Sequence, residues 1–259
     1  MNQIATLDLL QAQLKDLNLM NMARHIETHL RQARDGGADH GQFLVELTEM
    51  ELRIRAQHRE QRRIKDARFP LLKLLELFDF EAAPELDRRL VRELAEGEYL
   101  AGHRNIILLG KTGTGMTHLA TALGIEACRQ NHRVRFVTGH ALANELIEAR
   151  GEKELSRLIG RYACYELVIV DEPGYVPFSK ESAELRFHIL AERHERRSVI
   201  ITTNLGFTDW TQVFDDAHMT ATLLDRFTHR AHIIECAWDS YRLKQAIKST
   251  KVTSRKAER

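Results

Sequence analysis

Residues 106–120 read Ile106-Ile-Leu-Leu-Gly110-Lys111-Thr112-Gly113-Thr114-Gly115-Met116-Thr117-His-Leu-Ala120. The four aliphatic residues predict a short buried β-strand, and the residues after Thr117 open a helical pattern. Glycines between the two let backbone N–H groups turn inward toward an anion, and the following helix aims the positive end of its dipole at the same point. The stretch fits the phosphate-cradling loop GxxxxGK[ST] at every position except the lysine, which is Met116. Thr117 is the hydroxyl that such a loop offers to a magnesium ion. Gly110, Lys111, Thr112, Gly113, Thr114, Gly115, Met116 and Thr117 are therefore the candidate nucleotide-binding residues.

An acidic partner follows about fifty residues later, in Leu167-Val-Ile-Val170-Asp171-Glu172. A buried strand ending in two carboxylates can deliver Asp171 to a magnesium shell and leave Glu172 to polarise a water. Two more β-rich runs, Val134–Val137 and Val199–Ile201, alternate with stretches of helical periodicity, which predicts βαβ units on a mostly parallel sheet. The last run continues into Thr202-Thr203-Asn204 and brings a polar amide to the sheet edge where ligands collect in open α/β folds.

Upstream, Leu7, Leu10, Leu14 and Leu17, then Leu19, Met22, Ile26 and Leu30, recur at helical spacing until Asp35-Gly36-Gly37. A second helical stretch runs from Phe43 into a basic segment and ends at Phe69-Pro70, because proline disfavours a helical residue before it. Residues 1–68 are expected to be a small α-helical domain whose apolar stripe serves internal packing. Leu71–His103 is a connecting segment, and the α/β part begins at residue 69.

The 259 residues are 43 % hydrophobic and 29 % charged, which excludes a disordered or fibrous protein. Aliphatic runs are too short to cross a bilayer, and three isolated cysteines suit neither a zinc framework nor a disulfide scaffold. The N-terminal residues form no secretory signal, so a cytoplasmic location and no membrane partner are expected. The net charge of +1 conceals a segregation. Glu51–Arg68 carries an excess of four positive charges and Arg242–Arg259 an excess of six. Such segments suit a polyanion or simply a solvated face, and charge alone does not identify DNA.

Together, Gly110–Thr117, Asp171-Glu172, Thr203-Asn204, Leu223-Leu-Asp-Arg226-Phe and Ser240-Tyr-Arg242-Leu-Lys resemble an AAA+ ATPase of the helicase-loader clade. Ala67-Arg-Phe-Pro-Leu-Leu-Lys73, Phe78-Asp-Phe80, Val170-Asp-Glu-Pro-Gly-Tyr175, Phe207-Thr-Asp-Trp210 and Ser240–Lys244 narrow the resemblance to the IstB-like transposition helper ATPases. The resemblance implies an AAA+ P-loop three-layer sandwich over residues 69–259 with a basic C-terminal tail. It implies ATP and Mg2+ as ligands, with Thr117 and Asp171 on the metal and Glu172 as the base that activates water. It further implies Asn204 as the sensor that positions this water, Arg226 as an arginine finger reaching a neighbouring subunit, and Arg242 as the second sensor. Implied partners are double-stranded DNA, a cognate transposase and further copies of the chain. From the residues themselves, the dense arginine run at helical spacing, with few side chains suited to base edges, makes Arg55, Arg59, Arg62, Arg63 and Arg68 the expected phosphate contacts.

Met116 departs from that pattern. A thioether cannot neutralise β/γ-phosphate charge, so weak ATP binding and low hydrolysis are expected. Two other readings stay open: a replicative helicase loader, and a hydrolysis-deficient DNA-binding scaffold.

Overall fold

The structure, a computed structural model, describes residues 3–173, 185, 189–211 and 217–241. The chain divides into two compact units, residues 1–62 and 63–259.

In the first unit, helix α1 (Gln3–Asp16) is followed by α2 (Met20–Gly36) and by α3 (His40–Ala67), which continues past residue 62. The leucine run does not form one helix. Asn18 takes a left-handed φ of 58° and turns the chain between α1 and α2, a conformation that asparagine tolerates. Leu14, Met22, Ala23, Ile26 and Leu47 form the buried core. The acidic Glu51 is buried among them. It accepts the Met22 N–H at 2.7 Å and Asn21 Nδ2 at 3.3 Å, and its Oε1 lies 2.6 Å from Arg55 Nε. Leu19 offers α2 no side-chain cap, so a carboxylate from α3 satisfies one of the first-turn amides, that of Met22.

The second unit takes in the end of α3, because Ala67 is fully buried in its core and Ile64 packs against it. The units thus part several residues before the Phe69-Pro70 break. Leu71–His103 is more structured than a connector, with short 3-10 turns at Leu75–Leu77 and Phe80–Ala82 and helices α4 (Arg88–Ala95) and α5 (Glu98–Ala101). Then come β1 (Ile106–Gly110), α6 (Met116–Arg129), β2 (Val134–Thr138), α7 (Gly139–Gly151), α8 (Leu155–Ala163), β3 (Leu167–Asp171) and β4 (Ser198–Thr203). Helix α9 (Ala217–Thr228) and β5 (His232–Cys236) follow.

All strand pairs are parallel, in the order β2-β3-β4-β1-β5. Sequence periodicity foresaw four of these strands and missed β5, whose His232, Ile233 and Glu235 leave it only half buried at the edge. Alternation along the strands feeds two cores. Ile106, Leu108, Ile169 and Ile200 face α6 with Leu119, Leu123 and Ala127. Ile107, Val168, Val170 and Ile201 face α7, α8 and α9 through Leu142, Leu158, Leu223 and Phe227. The result is a three-layer α/β/α sandwich.

Candidate nucleotide site

β1 and β3 both end at the carboxyl edge of the sheet, with β4 between them. At the end of β1, Gly110 lies against β5, where a Cβ would come within 2.5 Å of the Cys236 carbonyl oxygen. Only glycine lets the chain leave the strand there. The loop then turns through Gly113 (φ 91°) and Gly115 (φ 102°). At Gly115 a side chain would be strained by φ and pressed to 3.0 Å from Phe78 Cε2. The residues after β5 hold the loop from behind. Trp238 Nε1 donates to the Thr114 carbonyl at 2.8 Å, and the Tyr241 N–H donates to the Gly113 carbonyl at 3.0 Å. Helix α6 starts at Met116 with no side-chain cap, and the amides of its first turn have no acceptor within the helix. That arrangement suits an anion.

The carboxylates stand opposite. Asp171 Oδ1 accepts the Thr117 hydroxyl at 3.0 Å and the Thr202 hydroxyl at 2.5 Å. Glu172 sits at a left-handed φ of 50°, and its N–H donates to the Thr202 carbonyl and to its hydroxyl, each at 3.1 Å. Strain of this kind persists only where surrounding bonds enforce it. It turns the chain so that Glu172 lines the same cavity as Thr117. Asn204 follows Thr203, which pairs with Leu109, so it too stands at this edge and is exposed.

The cavity, about 170 Å³, is lined by Thr112–His118 and Glu172 together with Leu77, Phe78, Ala82, Trp238 and Tyr241. His118 Nε2 donates to the Leu74 carbonyl at 2.9 Å, and its ring meets Phe78 edge-on at 5.2 Å. Burial holds the imidazole below the ordinary histidine pKa despite that carbonyl. It is therefore neutral at pH 7 and adds no positive charge for the phosphates. Phe78, His118, Trp238 and Tyr241 were not singled out as site residues from the sequence. The signals were the Phe78-Asp-Phe80 and Ser240-Tyr-Arg-Leu-Lys244 stretches, which carried the family resemblance without a site role for Phe78 or Tyr241.

The structure brings Gly110, Lys111, Thr112, Gly113, Thr114, Gly115, Met116, Thr117, Asp171, Glu172 and Asn204 to one sheet edge. Within that group, the Lys111 side chain is exposed and outside the cavity lining. Met116 is 5 % exposed, lines the cavity and packs into the core, so an apolar chain fills the lysine position. Arg226 is not brought to this edge. It lies on α9 beside Asn105, which precedes β1, and Val199, the second residue of β4. Asn105 fixes that end: its Nδ2 donates to the Phe227 carbonyl at 3.4 Å and its Oδ1 accepts the Val199 N–H at 3.0 Å. Arg226 and the loop are thus separated by a strand length, about 16 Å for five residues at roughly 3.3 Å each. Arg242 and the basic tail lie outside the described residues.

Of the five arginines on the basic segment, Arg55, Arg59, Arg62 and Arg68 are exposed and Arg63 is half-buried. Arg55 is held by Glu51 and also donates to the Asn18 carbonyl. Arg63 Nε donates to Asn131 Oδ1 at 3.3 Å, and Arg68 stands beyond α3 at a left-handed φ of 58°.

The site residues fit a magnesium nucleotide in three ways: a glycine turn with open helix amides, hard oxygen donors on Thr117 and Asp171, and an apolar wall beside them. They lack a cation at position 116 to meet the phosphate charge.

An all-parallel sheet of this order, with the glycine loop after β1 facing an Asp-Glu pair after β3, defines an AAA+ P-loop NTPase fold. Residues 12–249 match the signature of the family described as IstB-like ATP binding protein, and the chain belongs to that family. A protein of insertion sequence IS21 from Pseudomonas aeruginosa, described as ATP-binding, is 37 % identical over 94 % of this chain and 92 % of its own length. A counterpart from insertion sequence IS232 of Bacillus thuringiensis subsp. berliner is 34 % identical over 91 % of this chain and 94 % of its own. Among solved structures, AMPPCP-bound DnaA from Aquifex aeolicus matches with a TM-score of 0.57 at 21 % identity, over 71 % of this chain and 55 % of that one. The DnaC helicase loader matches with a TM-score of 0.50 at 18 % identity, over 57 % of this chain and 86 % of that one. No helix among the described residues is long and apolar enough to cross a membrane.

Proposed function

We propose that this chain is the ATP-dependent helper of an insertion sequence, which assembles on double-stranded DNA and recruits and stimulates the transposase. The observation that carries the reading is the hydrogen bond between Thr117 and Asp171, 3.0 Å long, at the mouth of a glycine loop in a chain related to insertion-sequence proteins described as ATP-binding. Residues 69–259 are the ATPase domain and residues 1–68 the helical part that meets DNA or a partner.

Gly110–Gly115 and the first amides of α6 hold the phosphates. Thr117 and Asp171 hold Mg2+, which screens phosphate charge when bound. Glu172 accepts a proton from the attacking water as that water's oxygen bonds to the γ-phosphorus and ADP departs. Asn204 orients that water. Arg226 serves a nucleotide on a neighbouring copy, because its own loop lies at the far end of the sheet. Arg242 is the second sensor, and Arg55, Arg59, Arg62, Arg63 and Arg68 meet phosphates without reading bases.

Met116 favours a second reading, in which the chain binds DNA and partner as a scaffold with little turnover. Negative-stain imaging on duplex DNA, with and without ATP, tests the first: ordered assemblies that need both ligands support it, and identical particles without ATP refute it. A replicative helicase loader would instead be retained by a hexameric helicase in a pull-down.

A further inference from the structure

His194 and Glu195 lie in the turn that leads to β4, and His229 follows the last residue of α9. One ligand atom from each of the three lies within 4.8 Å of the others. The two imidazole rings are 6.3 Å apart and tilted by 58°. Buried bonds fix both backbones. Arg193 is 3 % exposed, and its guanidinium donates to the carbonyls of Tyr162, Tyr165, Glu166 and Ser198. Asn105 secures Phe227 and Val199 as described above. Glu195 and His229 themselves are exposed and His194 half-buried, so the side chains can adjust while their anchors cannot.

We propose that His194, Glu195 and His229 form a binding site for a transition-metal dication of the zinc class. Two imidazoles and one carboxylate are the donor set that zinc, cobalt and nickel accept and that magnesium and calcium do not favour. Zinc–nitrogen bonds of about 2.0–2.1 Å in tetrahedral geometry require ligand atoms roughly 3.4 Å apart. Rotation of two exposed side chains closes the remaining gap. Arg193, Arg196, Arg197, Arg226 and Arg230 flank the cluster in sequence or space and oppose a dication. The Arg193 charge is directed at four carbonyls, and Glu195 contributes the compensating negative charge. A bound ion would tie the end of α9, one turn beyond Arg226, to the turn before β4. This inference is independent of the ATPase reading, since the ligands lie at the amino edge of the sheet and need no nucleotide.

The test is a Co2+ titration of the full chain without nucleotide, followed by visible absorption, with displacement by Zn2+. One ion per chain with d–d bands is expected. His194→Ala and His229→Ala should each weaken binding about tenfold or more, a scale that even outer-shell changes reach in metal sites. Glu195→Gln gives a milder variant, and His58→Ala on α3 should change nothing. Zn2+ should also raise the melting temperature of the native chain but not of the double histidine variant. Failure to saturate, or equal affinity in the native chain and the double variant, overturns the proposal.

Discussion

Thr117 and Asp171, 54 residues apart in sequence, share a hydrogen bond of 3.0 Å across the carboxyl edge of the sheet. Thr202 donates to the same carboxylate oxygen, so Asp171 is oriented from two sides. Asp171→Asn keeps the shape and removes the charge. Magnesium should then cease to strengthen ATP binding, while binding in EDTA stays near the native level. Fluorescent-nucleotide titrations with and without Mg2+ check this.

Met116 should limit turnover more than binding, because a lysine's charge meets oxygens that become more negative in the transition state. A charge-assisted hydrogen bond contributes about 1.5–3 kcal/mol. Met116→Lys should therefore raise ATP turnover about ten- to a hundredfold, at roughly 1.4 kcal/mol per decade. Phosphate release, with Glu172→Gln as the inactive control, measures it. Equal rates would mean another cation already serves.

Arg226→Ala should leave ATP binding by the isolated chain unchanged, since Arg226 sits beside Asn105 at the other end of the sheet. Hydrolysis on DNA and ATP-dependent assembly should both fall. Nucleotide titration together with size-exclusion chromatography on a duplex separates the two effects. Assembly that is the same with and without ATP, in native and variant alike, would remove the finger role.

Arg59 is exposed on α3. If it contacts a phosphate, Arg59→Ala should weaken binding to random duplexes uniformly and reduce the log–log salt slope by about one. Electrophoretic titrations across about 50–200 mM salt measure the slope. Binding indifferent to salt would exclude the basic face.

Glu51 makes the first unit acid-sensitive. Burial raises its pKa, but the Met22 N–H and Arg55 outweigh burial and hold the carboxyl below the ordinary range. A folded pKa below the unfolded one gives stability that is present above the unfolded value, about 4.3, and is lost as pH falls through the folded value. Amide exchange at Met22 should accelerate beyond its intrinsic pH trend below about pH 4. Glu51→Gln should already be destabilised at pH 7, by about 1–3 kcal/mol, and should lose that acid step.

The sequence alone determined the parallel core strands, the glycine loop, Thr117 and the Asp171-Glu172 pair, because each rests on local periodicity or on spacing set by a strand and a turn. Hydrophobic alternation is a property of neighbouring residues, so four strands were legible. β5 was not, since an edge strand is only half buried and His232 and Glu235 interrupt its pattern. What the tertiary structure decided depends on residues far apart in the chain. Trp238 and Tyr241 clamp the loop from beyond β5. Glu51 caps a helix from 29 residues away, and a burial-driven cap has no sequence signature distinct from a surface glutamate. Arg226 reads the same in sequence whether it serves its own loop or a neighbour's. Only the packing of α9 against the amino end of the sheet separates it from its own glycine loop, because a parallel strand carries its two ends to opposite edges.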